Sequence, residues 1–116
     1  MAKEEPMVNR VIEESVPGKQ VTIAHVIASP VEQIYESLGI EHAGAIGILT
    51  LSPFETSMIA ADIAAKASDV QIGFLDRFTG SVVITGDVES VTTALYAVTQ
   101  TLESVLGFVC AKVTRT

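Results

Sequence analysis

The sequence is short of the residues that most enzymes and nucleic-acid binders depend on. It has no tryptophan, two tyrosines, four phenylalanines and one cysteine. A lone cysteine, Cys110, cannot close an intramolecular disulfide. A disulfide-stapled secreted scaffold is therefore excluded, and a reducing cytoplasmic setting is expected. The two histidines, His25 and His42, fall in different segments, so with one cysteine they do not supply the clustered ligands of a zinc site. Lys and Arg number 7 against 14 Asp and Glu. No basic run exists, and Lys112 and Arg115 stand apart. Phosphate-directed binding of nucleic acid is not expected. Long hydrophobic runs are also missing: Ala43 to Leu49 is far too short to span a bilayer. The start, Met1-Ala2-Lys3-Glu4-Glu5-Pro6, is polar and acidic, unlike a signal peptide.

What remains is a small, apolar, acidic chain. Its 116 residues fit one domain with a modest core, and 48% are apolar while 18% are charged. A domain of this size has much surface for its volume. Part of that apolar content is expected between subunits, since obligate interfaces resemble a core cut in half.

The pattern along the chain predicts an α+β fold. Residues 1–7 read as a tail. An extended segment over Val8 to Val16 has no consistent apolar face at either period. Pro17-Gly18 marks a turn. Val21 to Ala28 reads as a strand with Val21, Ile23 and Ile27 on one face. Ser29-Pro30-Val31-Glu32 has the form of a capped helix start, with a stripe of Val31, Ile34, Tyr35 and Leu38 and a stop at Gly39. The rest reads β-α-β-β-α-β. Gly44 to Thr50 is a strand, and Ser52-Pro53-Phe54-Glu55 opens a helix running to about Ala67. Val70 to Leu75 and Ser81 to Thr85 flank a hairpin loop, Asp76-Arg77-Phe78-Thr79-Gly80. Asp87 caps a long helix whose apolar positions, Val88, Val91, Leu95, Val98, Leu102 and Val105, hold one face. Gly107 ends it, and Phe108 to Thr114 is the last strand. This order is the ferredoxin-like split βαβ pattern, with two helices on one face of a four-stranded antiparallel sheet and the N-terminal strand and short helix added to it.

No catalytic constellation emerges. A Cys110–His25 nucleophile pair is conceivable, but a thiol between Val109 and Ala111 in a strand reads as a small buried residue. His25, mid-strand, reads as hydrogen-bonded structure. Gly44-Ala45-Ile46-Gly47 follows no strand and opens no helix, so it is not a dinucleotide fingerprint, and no Walker-type run is present. Neither cofactor nor metal is expected, and no enzyme. The alanine-studded end of the second helix, Ala60-Ala61-Asp62-Ile63-Ala64-Ala65-Lys66-Ala67, has two readings. Alanine is a strong helix former, and Lys66 complements the helix C-terminus. Equally, small side chains make a flat contact edge with a lysine reaching across it.

The runs Ala45-Ile46-Gly47-Ile48-Leu49-Thr50, Ala60 to Ala67, Val70-Gln71-Ile72-Gly73-Phe74 and Gly86-Asp87-Val88 resemble the bacterial microcompartment shell domain. The strand and Pro-led helix that come last in most such domains come first here. Val16-Pro17-Gly18-Lys19-Gln20-Val21-Thr22 and Ile72 to Gly80 are similar to signatures of the circularly permuted, hexamer-forming subgroup, the EutS, PduU and CutR type. The resemblance spans about residues 8 to 116, and what it implies is specific. The chain would be a structural shell subunit in the cytoplasm. It would form a homohexamer that tiles with other shell proteins around encapsulated enzymes of propanediol, ethanolamine or choline utilisation. Lys66 and Ala67 would lie at the hexamer–hexamer edge. Asp76, Arg77, Phe78, Thr79 and Gly80 would approach the six-fold axis as the pore loop. Residues 8–20, with Val8, Arg10, Val11, Ile12 and Glu14, would build an intersubunit β-barrel that plugs the pore. Residues 21–116 would be the permuted shell domain. Ser29 stands where unpermuted relatives usually carry an arginine that joins hexamers, which implies a weaker or differently curved lattice. The alternative is a small-molecule-binding regulatory module on the same core; its mark would be a dimer or trimer that binds a nucleotide.

Overall fold

A computed structural model of the chain describes residues 18–116. The expected tail (1–7) and the barrel candidates Val8, Arg10, Val11, Ile12 and Glu14 lie outside the described residues. Among the described residues the elements run β1 (Gln20–Ala28), α1 (Glu32–Leu38), β2 (Ala45–Ser52), α2 (Thr56–Ala67), β3 (Gln71–Asp76), β4 (Ser81–Gly86), α3 (Val88–Leu106), β5 (Val109–Cys110) and β6 (Val113–Arg115). They form one sheet in the order β3-β4-β2-β1-β5, with β6 continuing the β5 side of β1.

Two features depart from the expected four-stranded antiparallel sheet. First, β1 is not an addition to its edge. It is inserted between β2 and the last strand, antiparallel to β2 and parallel to β5 and β6. The sheet is therefore mixed. The physical reason is apolarity on both faces: a strand so composed gains most in the middle of a sheet. Second, the last strand is broken. β1 carries a register shift between Val21 and Ile23, and pairing to the C-terminal segment lapses at Ala111 and Lys112 before resuming at Ala24↔Val113.

The same bulge overturns the predicted face of β1. An extra residue in one strand flips the alternation beyond it. Val21 is buried on the helix side, but so are Ala24 and Val26, while Ile23 is exposed. Ile27 packs with Tyr35, Ile46 and Val83 on the opposite face.

α2 and α3 cover one face. Val91, Ala94, Leu95, Val98 and Leu102 of α3 join Ala60, Ala61 and Ala64 of α2 over Leu49, Leu51, Val82 and Ile84. The predicted stripe of α3 holds at four of its six positions. Val88 is only partly buried, and Val105, past the end of the sheet, is exposed. Gly47 lets α3 sit close, since a Cβ there would stand 2.7 Å from Val91 Cγ1. On the other face α1 seals part of the sheet with Tyr35 and the half-buried Ile34, leaving Val31 and Leu38 exposed.

The helix ends test the capping expectations. Asp87 caps α3: its carboxylate accepts from the Ser90 N–H at 2.8 Å. Gly39 and Gly107 end α1 and α3 at φ +71°. The two Ser-Pro starts fail. α1 begins at Glu32 after Val31, with no side-chain cap. Ser29 is too early: it precedes Pro30, which disfavours helical geometry, and its N–H donates to Gly44 O at 2.9 Å. Ser52 is the last residue of β2, opposite Gln20, so α2 starts only at Thr56, whose hydroxyl donates back to Pro53 O.

Candidate functional site

Three surface features place the sequence-predicted site residues. The first is the end of α2. The stretch from Ala60 to Ala67 divides by face: Ala60, Ala61 and Ala64 are core, while Ala65, Lys66 and Ala67 are exposed. Both readings of the stretch therefore apply, to different residues. Lys66 Nζ lies 2.9 Å from Asp62 Oδ2, one turn earlier. Acid before base at this spacing is the favourable order on a helix. The pair steers the lysine without hiding it, its side chain being 76% exposed. Beyond Ala67 the chain leaves the helix at Ser68, whose hydroxyl donates to Ser90 O at 2.6 Å and ties the end of α2 to the first turn of α3.

The second is the β3–β4 loop. Asp76 Oδ1 accepts from the N–H groups of Phe78 at 2.9 Å and Thr79 at 3.3 Å. The Phe78 N–H is the main reason its carboxyl is held below the ordinary aspartate value. Gly80 N–H donates to Asp76 O at 2.9 Å and Gly80 O accepts from Leu51 N–H at 2.8 Å. Asp76, Thr79 and Gly80 thus build the turn, and Arg77 and Phe78 are what it displays. Phe78 is 76% exposed, with the Arg77 guanidinium carbon 5.1 Å from its ring centre. The Asx-turn pattern of Asp followed by Thr-Gly was the signal available in the sequence.

The third is the pair of sheet edges. β3 exposes Ile72 and Phe74, and the N-terminal part of α2 beside it exposes Met58 and Ile59. On the opposite edge Val109 is exposed, together with Val105 and Leu106 at the end of α3. Two unlike apolar surfaces on opposite sides of one protomer are what a head-to-tail ring requires. The bulge between Ile72 and Phe74 blunts β3 against open-ended strand pairing.

The groups considered for chemistry do not converge. Cys110 packs with the α3-side core and its thiol contacts Thr99 O at 3.6 Å; burial pushes its pKa up, which disfavours a nucleophilic thiolate. His25 is bridged on the other face, Nδ1 at 2.6 Å from Thr114 Oγ1 and Nε2 at 2.9 Å from Thr116 Oγ1. The two are not a pair. His25 clasps the C-terminal strand to β1. His42 packs against Tyr35 with the rings tilted by 44° and their centres 4.9 Å apart. Among the described residues no three His, Cys, Asp or Glu side chains gather where a metal ion would be held. No helix among them is long and apolar enough to cross a membrane.

Comparison with known proteins gives one answer. The profile of the BMC domain matches residues 45–114. The chain is 51% identical over 115 residues to the bacterial microcompartment shell protein CutR of Streptococcus intermedius, covering 99% of each. It is 54% identical over 113 residues to the bacterial microcompartment shell protein PduU of Salmonella typhimurium, covering 97% of each. A solved CutR flat hexamer superposes with a TM-score of 0.84 at 51% identity, over 94% of this chain and 93% of that one.

Proposed function

The chain belongs to the BMC domain family, and we propose that it is a structural, non-catalytic shell subunit that closes into hexamers and tiles with other shell proteins around enclosed enzymes. The observation that carries this reading is the likeness, across nearly its whole length, to microcompartment shell proteins, one of which, CutR, has been solved as a flat hexamer. Its site is accordingly the microcompartment shell, within the cytoplasm. The unlike apolar edges supply the physics: each copy buries its β3 side against the β5 side of the next. The regulatory-module alternative is not favoured by these relatives.

Finer assignments complete the proposal. Lys66 and Ala67 meet the neighbouring hexamer; their support is exposure at the end of a helix whose inner side is core. The loop from Asp76 to Gly80 faces the six-fold axis and presents Arg77 and Phe78. Residues 8–20, through Val8, Arg10, Val11, Ile12 and Glu14, form an intersubunit barrel over that axis. The shell domain is circularly permuted over 21–116. In support, β1 and α1 precede the matched 45–114 segment in the chain, yet β1 sits inside its sheet. The enclosed pathway is propanediol, ethanolamine or choline utilisation. Native mass spectrometry tests the assembly, with a hexamer expected. A stable dimer or trimer at shell-protein concentrations would overturn it.

A further inference from the structure

On the α1 side of the sheet, toward the β5 margin, lies a recess of about 530 Å³ lined by Ile23, His25, Ile48, Lys112 and Thr114 among others. It opens where the last strand is broken, since pairing to β1 lapses at Ala111 and Lys112. The bulge in β1 leaves Ile23 opposite Thr50, two residues on from Ile48 along β2. Residues two apart on a strand share a face, and Ile48 packs with the Tyr35 cluster. Ile23 therefore stands on the α1 side, 48% exposed. The stem of Lys112 adds apolar wall while its ammonium group stays in water. His25 adds little unmet polarity, because its ring nitrogens are already bridged to Thr114 and Thr116. Such walls suit an apolar side chain better than a polar ligand.

The opposite margin of the sheet presents one. β3 exposes Ile72 and Phe74. Directly paired residues share a face. Ile72 lies opposite Ile84 and so on the side of α2 and α3, whereas Phe74 lies opposite Val83 and so on the α1 side, 42% exposed. Phe74 is also level with the recess. A single row of paired residues crosses the sheet from Phe74 through Val83, Ile48 and His25 to Thr114. In a head-to-tail ring each copy is carried onto the next by rotation alone. Where the β3 margin of one copy meets the β5 margin of the next, the α1-side face continues across the junction, and so does the row.

We propose that Phe74 of each copy seats in the recess over Ile23 and Ile48 of the next, and that this contact anchors ring closure. The proposal rests on the hexamer reading and adds to it the anchoring residue and its socket. An aromatic side chain filling an apolar pocket is a common form of interface hot spot, and it removes large apolar surface from water on both copies.

The test begins with p-benzoylphenylalanine in place of Phe74, irradiated in the assembled full-length protein. Digestion and mass spectrometry of the covalent dimers should find adducts on peptides holding Ile23, Ile48 or Lys112. Intersubunit adducts confined to other peptides, or none, overturn the proposal. Subunit exchange between isotope-labelled and unlabelled hexamers, followed by native mass spectrometry, reads the strength of the contact. Phe74→Ala should exchange at least about tenfold faster than the wild type, since interface substitutions act chiefly on dissociation. Loss of the hexamer with an unchanged circular dichroism spectrum supports the proposal equally. Ile23→Ala should also exchange faster, and the double variant should fall short of the product of the two effects, because both remove one contact. Exchange of Phe74→Ala at the wild-type rate, or fully multiplicative effects, overturns the contact while leaving the wild-type hexamer in place. A wild-type chain that forms no hexamer overturns the assembly reading and this proposal together.

Discussion

Replacing Gly80 by alanine isolates how the β3–β4 loop is held. Gly80 sits at φ +77°, and a Cβ built on it would stand 2.2 Å from Leu51 O. That carbonyl belongs to a β2 strand paired on both sides, so it cannot step aside cheaply. The left-handed backbone alone costs a non-glycine residue about 1–2 kcal/mol. Forcing apart a packed contact costs about 1–3 kcal/mol more. The sum is about 2–5 kcal/mol. At about 4–8 °C per kcal/mol for a domain of this size, Gly80→Ala should lower Tm by at least about 8 °C. Gly39→Ala is the matched control. Its φ is +71° and nothing lies within 4 Å of the added Cβ, so only the backbone cost of about 1–2 kcal/mol applies. Thermal unfolding followed by circular dichroism, at one protein concentration, reads both. If Gly80→Ala loses no more than Gly39→Ala, the loop is not clamped on Leu51 and the reasoning fails.

Other outcomes follow from the same structure. Leu102→Ala, at a fully buried position of α3, should cost about 2–5 kcal/mol, read as a fall in the urea midpoint. Lys66→Ala should leave the fold within about 0.5 kcal/mol, because its ion pair with Asp62 is exposed; hexamers should persist in native mass spectra while sheets seen by electron microscopy are lost. Asp87 is held below the ordinary aspartate value, chiefly by the Ser90 N–H. Its capping contribution is therefore full above the unfolded aspartate pKa near 3.9 and is lost as pH falls through the lower folded value. Asp87→Ala should lower Tm at pH 7 and flatten the acid limb of a Tm–pH profile, and a wild-type-like acid limb in the variant would refute the cap.

Much of this protein was legible one residue at a time. The α3 stripe, the Asp87 cap, the stops at Gly39 and Gly107 and the hairpin at 76–80 are local. Each depends on a helical period, one side chain reaching three residues on, or a backbone only glycine takes easily. Family membership was legible too, because shared runs such as Ala60 to Ala67 carry it without coordinates. The two Ser-Pro helix starts misled for a nonlocal reason: Ser52 was already committed to β2 by pairing with Gln20, and Ser29 to Gly44.

Only the tertiary structure decided the middle of the sheet. Where β1 inserts depends on partners far away in sequence. The bulge that turns Val21 and Ala24 to the same side exists only against β2 and the broken last strand. Strand alternation cannot announce such a residue, because a bulge is defined by the strand opposite it. The absent residues still bounded the chemistry: one cysteine, two scattered histidines and few basic residues left little with which to build a reactive centre. Folding sent Cys110 and His25 to opposite faces.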